Sequence, residues 1–329
     1  MKTVIYTCPY VPAEWITAHG LRANRLLLNR VDSASMFIRT EGVCPFVRSF
    51  ISDVMGNQSA GGVILTTVCD QMRRAFDILV CNCKLPAFLM NVPSTWQNLE
   101  SQKLYIQELM RLSRFLTGLG GKSPSNKALI KTMLEYDVAR VFILAAREYL
   151  SARQFAEAIA SFGQCGPDQK ISRIKKAEIQ TDGIPLAIVG GPLMKKDFDL
   201  FDMIEKSGGR VVLDATETGE RGMCARFDRR RIYEDPLMEL ANAYFSGIQD
   251  VSRRPNSELY KWLRQKLASR NVKGIIYHRY LWCDLWHAEL NRLKDWINLQ
   301  VLEIDTAGDN ETDEYRTVNR IHAFLEMLQ

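Results

Sequence analysis

The fold is decided at residues 61–74, "GGVILTTVCDQMRR". Two glycines launch an apolar, β-branched run over 62–68. It stops at Cys69-Asp70 and gives way to a basic amphipathic segment. A short apolar run bounded in this way is a buried strand, and the change of period after it is a helix start. In an open α/β sheet, ligands bind in the crevice outside the carboxyl ends of the strands. Cys69 is therefore either a small core residue or a ligand facing a cleft.

The same alternation surrounds this stretch. "TVIYT" near residue 3, "SMFIR" near 35 and "AFLMNVP" at 87–93 are further apolar runs. Between them, "CPFVRSFISDVMG" places Phe46, Phe50 and Val54 at helical spacing, and "DQMRRAFDILV" does so with Met72, Phe76 and Leu79. Strands alternating with helices predict a parallel sheet and a first lobe over 1–93. From 94 to 180 the pattern is helical, in three stretches, with Ser151 a candidate N-cap for the third. "GLGGKSPS" at 118–125 lies between two of them. It lacks the spacing of a phosphate-binding loop and no strand precedes it, so it is expected to be a helix–helix turn. From Ile184 the strand pattern returns in "IPLAIVGGP", "GGRVVLDAT", "VKGIIYHRYLWCD" and "LQVLEIDTA", closed by the helix "DEYRTVNRIHAFLEML". The expected architecture is α/β: two parallel-sheet, Rossmann- or flavodoxin-like lobes, 1–93 and 181–329, joined by a linking helical segment, 94–180.

Composition narrows the function. The chain has 329 residues, 47% hydrophobic and 25% charged, with a formal charge of +5. Its densest basic run, Arg226, Arg229, Arg230 and Arg231, lacks the interleaved aromatics of a single-strand groove, so no nucleic-acid partner is expected. A mildly basic chain suits an acidic small substrate or an acidic partner. No segment reaches the roughly 18 consecutive apolar residues of a membrane span. "MKTVIYTCPYVP" reads as a first strand and not a signal peptide. A cytoplasmic protein with its eight cysteines reduced is expected. Cys81 and Cys83 are too close for ordinary zinc spacing and are expected to be buried in or beside the segment leading to the next strand.

The two lobes echo each other. Each has glycine, an apolar strand and then Cys-Asp, which puts Cys69 and Cys283 at equivalent strand ends. Cys44 opens a helix in "GVCPFVRS", where free amides and the helix dipole favour a thiolate. Three thiolates converging on one cleft suit a soft metal or an iron–sulfur cluster with one iron left open. Three buried core thiols are the alternative.

Several segments together resemble a known family. They are "PAEWITAHGLR" at 12–22, "VCPFVRS", "TTVCDQMRR", "NVP" at 91–93, "DPLMELANAYF" at 235–245, "WCD" and "RTVNRIHAFLEML". In their order they resemble the 2-hydroxyacyl-CoA dehydratase / benzoyl-CoA reductase family, of the 2-hydroxyglutaryl-CoA dehydratase D-component type. The resemblance implies an enzyme subunit, a lyase or oxidoreductase, holding a [4Fe-4S] cluster on Cys44, Cys69 and Cys283. It implies a related second subunit, in a heterodimer or homodimer, and an ATP-dependent iron–sulfur activator that injects a low-potential electron. The substrate implied is an acyl-CoA thioester, dehydrated through a ketyl radical or, for an aromatic acyl group, reduced.

Glu14, in P-x-E-x-x-x-A-x-G, matches the family's glutamate near the substrate, with His19 beside it as a polar contact. Both are candidate catalytic residues, and Glu14 is expected to face the cluster cleft. The alternatives are a first-turn acid and a helix-end histidine on a helix over 13–19. "ATETGERGMCARF" keeps part of a TGxR pattern and brings Cys224 as an extra thiol. Because the text opens directly at its first strand, a helical extension is not expected. A non-catalytic electron-relay subunit and a double-cubane-cluster reductase of small molecules therefore stand as alternatives, as does a cluster-free α/β protein.

Overall fold

The apolar runs become two four-stranded, all-parallel sheets in the computed structural model, which describes residues 1–31, 42–168, 182–306 and 312–329. The first lobe runs β1 (Thr3–Tyr6), α1 (Ala13–Ala18), β2 (Arg22–Arg25), α2 (Pro45–Gly56), β3 (Ala60–Thr66), α3 (Asp70–Asn82) and β4 (Ala87–Met90). Three helices follow: α4 (Leu99–Gly118), α5 (Asn126–Ala145) and α6 (Ala152–Cys165). The second lobe runs β5 (Ile184–Gly190), α7 (Asp199–Lys206), β6 (Gly209–Ala215), α8 (Arg231–Glu234), α9 (Pro236–Ala241), α10 (Ser257–Ser269), β7 (Gly274–Tyr280), α11 (Asp284–Trp296), β8 (Gln300–Thr306) and α12 (Thr312–Leu328).

The sheets have the same topology, β2-β1-β3-β4 and β6-β5-β7-β8. In each, the chain starts at an inner strand, steps to one edge, then crosses back to fill the other side. The reversal falls between β1 and β3 in one lobe and between β5 and β7 in the other. Both sheets are covered on both faces, which is why their inner strands read as continuous apolar runs. Val4, Tyr6, Ile64 and Met90 pack with one cluster of helices, while Ile5, Val63 and Leu65 pack with α2 and α3. In the second lobe, Leu186 and Ile188 meet α7 and α12, and Ala187 and Val189 meet α10 and α11. Each large apolar side chain fully buried in these layers contributes roughly 1.5–3 kcal/mol.

Two differences from the sequence reading have physical causes. β2 is the polar text "RANR", with only Ala23 buried, because it is an edge strand paired on one side alone. The strand expected near 35 lies outside the described residues. The helices after residue 93 also do not form a separate linking body. Tyr105, Leu109, Leu112 and Leu116 of α4 belong to the first lobe's core, and α6 packs on both β2 and β6. Residues of 224–248, from the second half of the sequence, return to that same core through Phe227, Ile232, Leu240 and Phe245. Residues 118–125 do form the helix–helix turn, with Ser125 accepting a hydrogen bond from the Ala128 amide at 3.3 Å, and Ser151 makes a capping box with Gln154. Among the described residues, no helix is long and apolar enough to cross a membrane.

Candidate functional site

The carboxyl ends of the two sheets line one cleft of about 390 Å³. Thr7 and Cys8 enter it after β1, Cys69 after β3, Pro192 after β5, Glu217 after β6 and Cys283 after β7. This is the crevice at the strand-order reversal of an open α/β sheet, here contributed twice. Cys44 joins it from the start of α2. All three cysteines singled out by the sequence therefore line one cavity.

Each is the N-cap of a helix: Cys44 of α2, Cys69 of α3 and Cys283 of α11. Burial pushes Cys44 up to about 11 and Cys283 up to about 12, and raises Cys69 further still. The backbone amides of Val47, Met72 and Trp286, three residues into each helix, pull the other way, though none forms a full cap hydrogen bond. The thiols also feel each other, since Cys44 and Cys283 both raise Cys69. Three thiols at three helix N-termini form an arrangement that a positive centre would deprotonate.

The helix starts are held in place across the lobes. Gln71 Oε1 accepts from the Cys44 amide at 3.1 Å, tying α2 to α3. Phe46 stacks on Tyr280 with ring centroids 6.2 Å apart, tying α2 to β7. The Tyr280 hydroxyl donates to Asp197 and accepts from the Met194 amide at 2.9 Å. Trp282, just before Cys283, adopts φ 66° and is exposed together with Leu281. A bulky residue in the left-handed region is a strained turn, and it presents Cys283 at the helix start.

Among the described residues, no three His, Cys, Asp or Glu side chains converge tightly enough for a single metal ion. A cubane is wider than an ion and takes its thiolates at separate corners. Three cysteines spaced around an open cleft, all at helix N-termini, have the donor chemistry of such a cluster.

Glu14 is placed elsewhere. It is fully buried in α1, where Arg140 Nη2 donates to Oε1 at 2.5 Å and the Tyr244 hydroxyl donates to Oε2 at 2.5 Å. Arg140 also faces Asp137 at 3.5 Å, and Arg229 reaches Asp137 at 2.6 Å. The expectation that Glu14 faces the cysteine cleft is thus not met. α1 directs the side chain between α5 and the segment after α9, and the charges there satisfy one another. Cys224 belongs to this nest, with Glu14 raising and Arg140 lowering it around a burial-dominated rise to about 12. His19 is also remote from the cleft. Its Nδ1 meets the Trp15 carbonyl at 2.7 Å and its Nε2 meets Ser113 Oγ at 2.7 Å, as a helix-end histidine would. Cys81 is exposed at the end of α3, against the expected burial, while Cys83, its C-cap, is half-buried and packs against the first lobe's core beside the segment leading to β4.

The cleft also contains groups the sequence reading passed over: Cys8, Glu217, Asp250 and Arg254. The one signal for Glu217 was its place in "TETGER" directly after a strand.

The model of the family "2-hydroxyglutaryl-CoA dehydratase, D-component" matches residues 8–328. The chain belongs to this family. No curated protein matches it. Among solved structures, the SBP FpvC from Pseudomonas aeruginosa in complex with Mn2+ is 12% identical at a TM-score of 0.27, covering 100% of this chain and 98% of that one. A GTP-binding protein from Sulfolobus solfataricus in complex with GDP is 10% identical at a TM-score of 0.24, covering 100% of both chains. Likenesses this distant carry no argument, so membership of the D-component family rests on the family model alone.

Proposed function

We propose that the chain is the iron–sulfur subunit of an ATP-activated, low-potential acyl-CoA dehydratase or reductase, with a [4Fe-4S] cluster held by Cys44, Cys69 and Cys283. The observation that carries this reading is that these three residues, scattered along the sequence, are the N-caps of three helices around one cleft. A cluster held there would supply low-potential electron transfer and Lewis-acid chemistry toward a substrate oxygen. The protein's own part is to hold and shield. The dipoles of α2, α3 and α11 favour the three thiolates. Phe46, Val251, Tyr280, Leu285 and Trp286 line the cleft and limit water there. Arg73 and Arg254 line it as well and give an acidic thioester a cationic approach. The partners are a related second subunit, an ATP-dependent iron–sulfur activator and an acyl-CoA thioester, in the cytoplasm.

The test is anaerobic purification with an iron count and visible spectrum. Serine at Cys44, Cys69 or Cys283 should remove most of the iron, while Cys81→Ser and Cys83→Ser should retain it. Full iron in all three cleft variants would sink the assignment. One observation favours the second reading, an electron-relay subunit or a double-cubane small-molecule reductase: the motif glutamate Glu14 is locked in ion pairs away from the cleft. Acyl-CoA binding by the iron-loaded chain, with and without its partner subunit, separates the two.

A further inference from the structure

The cysteine cleft has a carboxylate of its own. β6 ends at Ala215 and Glu217 follows at the sheet's carboxyl edge. Its backbone is pinned. Its amide donates to the Gly191 carbonyl at 3.2 Å, and its carbonyl accepts from Arg25 Nη2 at 3.0 Å. The turn closes so tightly that a Cβ on Gly222 would lie 1.8 Å from that carbonyl oxygen. The side chain is 19% exposed and lines the cleft beside the three cysteines.

Its carboxylate is unspent. The ion pair to Arg25 is long, 3.7 Å, and no described residue donates a hydrogen bond to either oxygen. The other acids lining the cleft differ. Asp250 is taken up by Arg221 and the Ser252 amide, and Asp70 and Asp284 are exposed. With its backbone pinned and its side chain still open to the cleft, this carboxylate is placed to meet a ligand bound there.

We propose that Glu217 is the catalytic proton-transfer group of the cleft, the role the P-x-E motif pointed to in Glu14. This rests on the dehydratase reading above. Dehydrating a 2-hydroxyacyl thioester breaks the α C–O bond and a β C–H bond, forms the α,β double bond and releases water, with no net redox change. Glu217 in its acid form gives its proton to the departing hydroxide. The resulting carboxylate takes the β-proton and is restored, so one group closes the proton balance.

The surroundings suit both halves of that cycle. Burial, then Asp250, raises Glu217, while Arg25 and Arg221 lower it, leaving it at about 7. A group that titrates near the working pH can both give and take a proton. Glu217 in turn raises Cys8, Cys69 and Cys283, so it shares their electrostatic environment. Arg73 and Arg254 complete the charged lining.

The test uses the iron-loaded chain with its partner and activator, and 2-hydroxyglutaryl-CoA and shorter 2-hydroxyacyl thioesters as probes. Glu217→Gln should keep wild-type iron and lower kcat by about 100-fold or more. It should also abolish the near-neutral limb of the kcat–pH profile. Glu217→Asp should restore part of the rate. Independently of turnover, the carboxyl carbon signal of ¹³C-glutamate-labelled, iron-free protein that disappears in Glu217→Gln should titrate near neutrality. Glu217→Gln with wild-type iron and wild-type kcat overturns the proposal, as does a Glu217 signal that titrates in the ordinary carboxylate range. An iron-loaded wild type that dehydrates none of the thioesters overturns it while leaving the cluster assignment standing. A wild-type chain that takes up no iron overturns the functional reading and this proposal together.

Discussion

Two polar clusters are built into this molecule, and they differ in what they leave undone. The nest around Glu14 closes on itself: Arg140, Tyr244, Asp137 and Arg229 satisfy one another in the interior. The small cavity beside it is about 50 Å³. The cysteine cleft has space of about 390 Å³, three helix N-caps without cap hydrogen bonds and a carboxylate held only by a long ion pair among the described residues. A satisfied network fixes a structure, whereas an unsatisfied one beside open space waits for a ligand. Motif position alone did not separate them, because Glu14 and Cys69 both follow a strand of the first sheet.

The largest expected effect tests the open cluster. Cys69→Ser should lose nearly all bound iron, yet the iron-free protein should melt close to wild type, since one small side chain is exchanged for another of similar size. The converse variant belongs to the nest. Arg140→Met removes a cation that is 3% exposed and strands Glu14, whose side chain is fully buried. Breaking a buried pair from one side costs about 3–5 kcal/mol. Urea unfolding of the iron-free chain should show that loss, and pairing the change with Glu14→Gln should recover part of it. If Arg140→Met instead left stability unchanged and removed iron, the division between the clusters would be wrong.

What the sequence made legible follows from range. Cys69 and Cys283 were readable because a strand end is a local event: an apolar run, then a cysteine, then a change of period. The nest was not. Glu14 meets Arg140 and Tyr244, which lie on α5 and just after α9. Nothing in the period of α5 announces that Asp137 and Arg140 face inward while Val138 and Phe142, 65% and 51% exposed, face out. The return of 224–248 to the first lobe escaped for the same reason, since its apolar residues state that they are buried and not against what. β2 escaped because an edge strand need not be apolar. Glu217 lay in plain text, but only the surrounding cavity shows that its carboxylate opens on the cysteine cleft.

The smallest expected effect concerns His19, at the end of α1 and outside both clusters. Burial lowers its affinity for a proton, and the Trp15 carbonyl offsets this only in part. A histidine more acidic in the folded chain than in the unfolded one binds its proton more weakly when folded. The unfolded state therefore gains protons first as pH falls. Stability should be fully present above the ordinary histidine value of about 6.5 and decline as pH drops below it through the folded value. His278, also lowered by burial, adds to the same slope. Replacing His19 by glutamine should flatten the acid limb of an unfolding-free-energy profile while leaving the slope from His278. Iron content should not change, because His19 contacts Trp15 and Ser113 and does not line the cleft. An unchanged acid limb would mean that the ring is already protonated against the Trp15 carbonyl and Ser113, and that its two hydrogen bonds outweigh its burial.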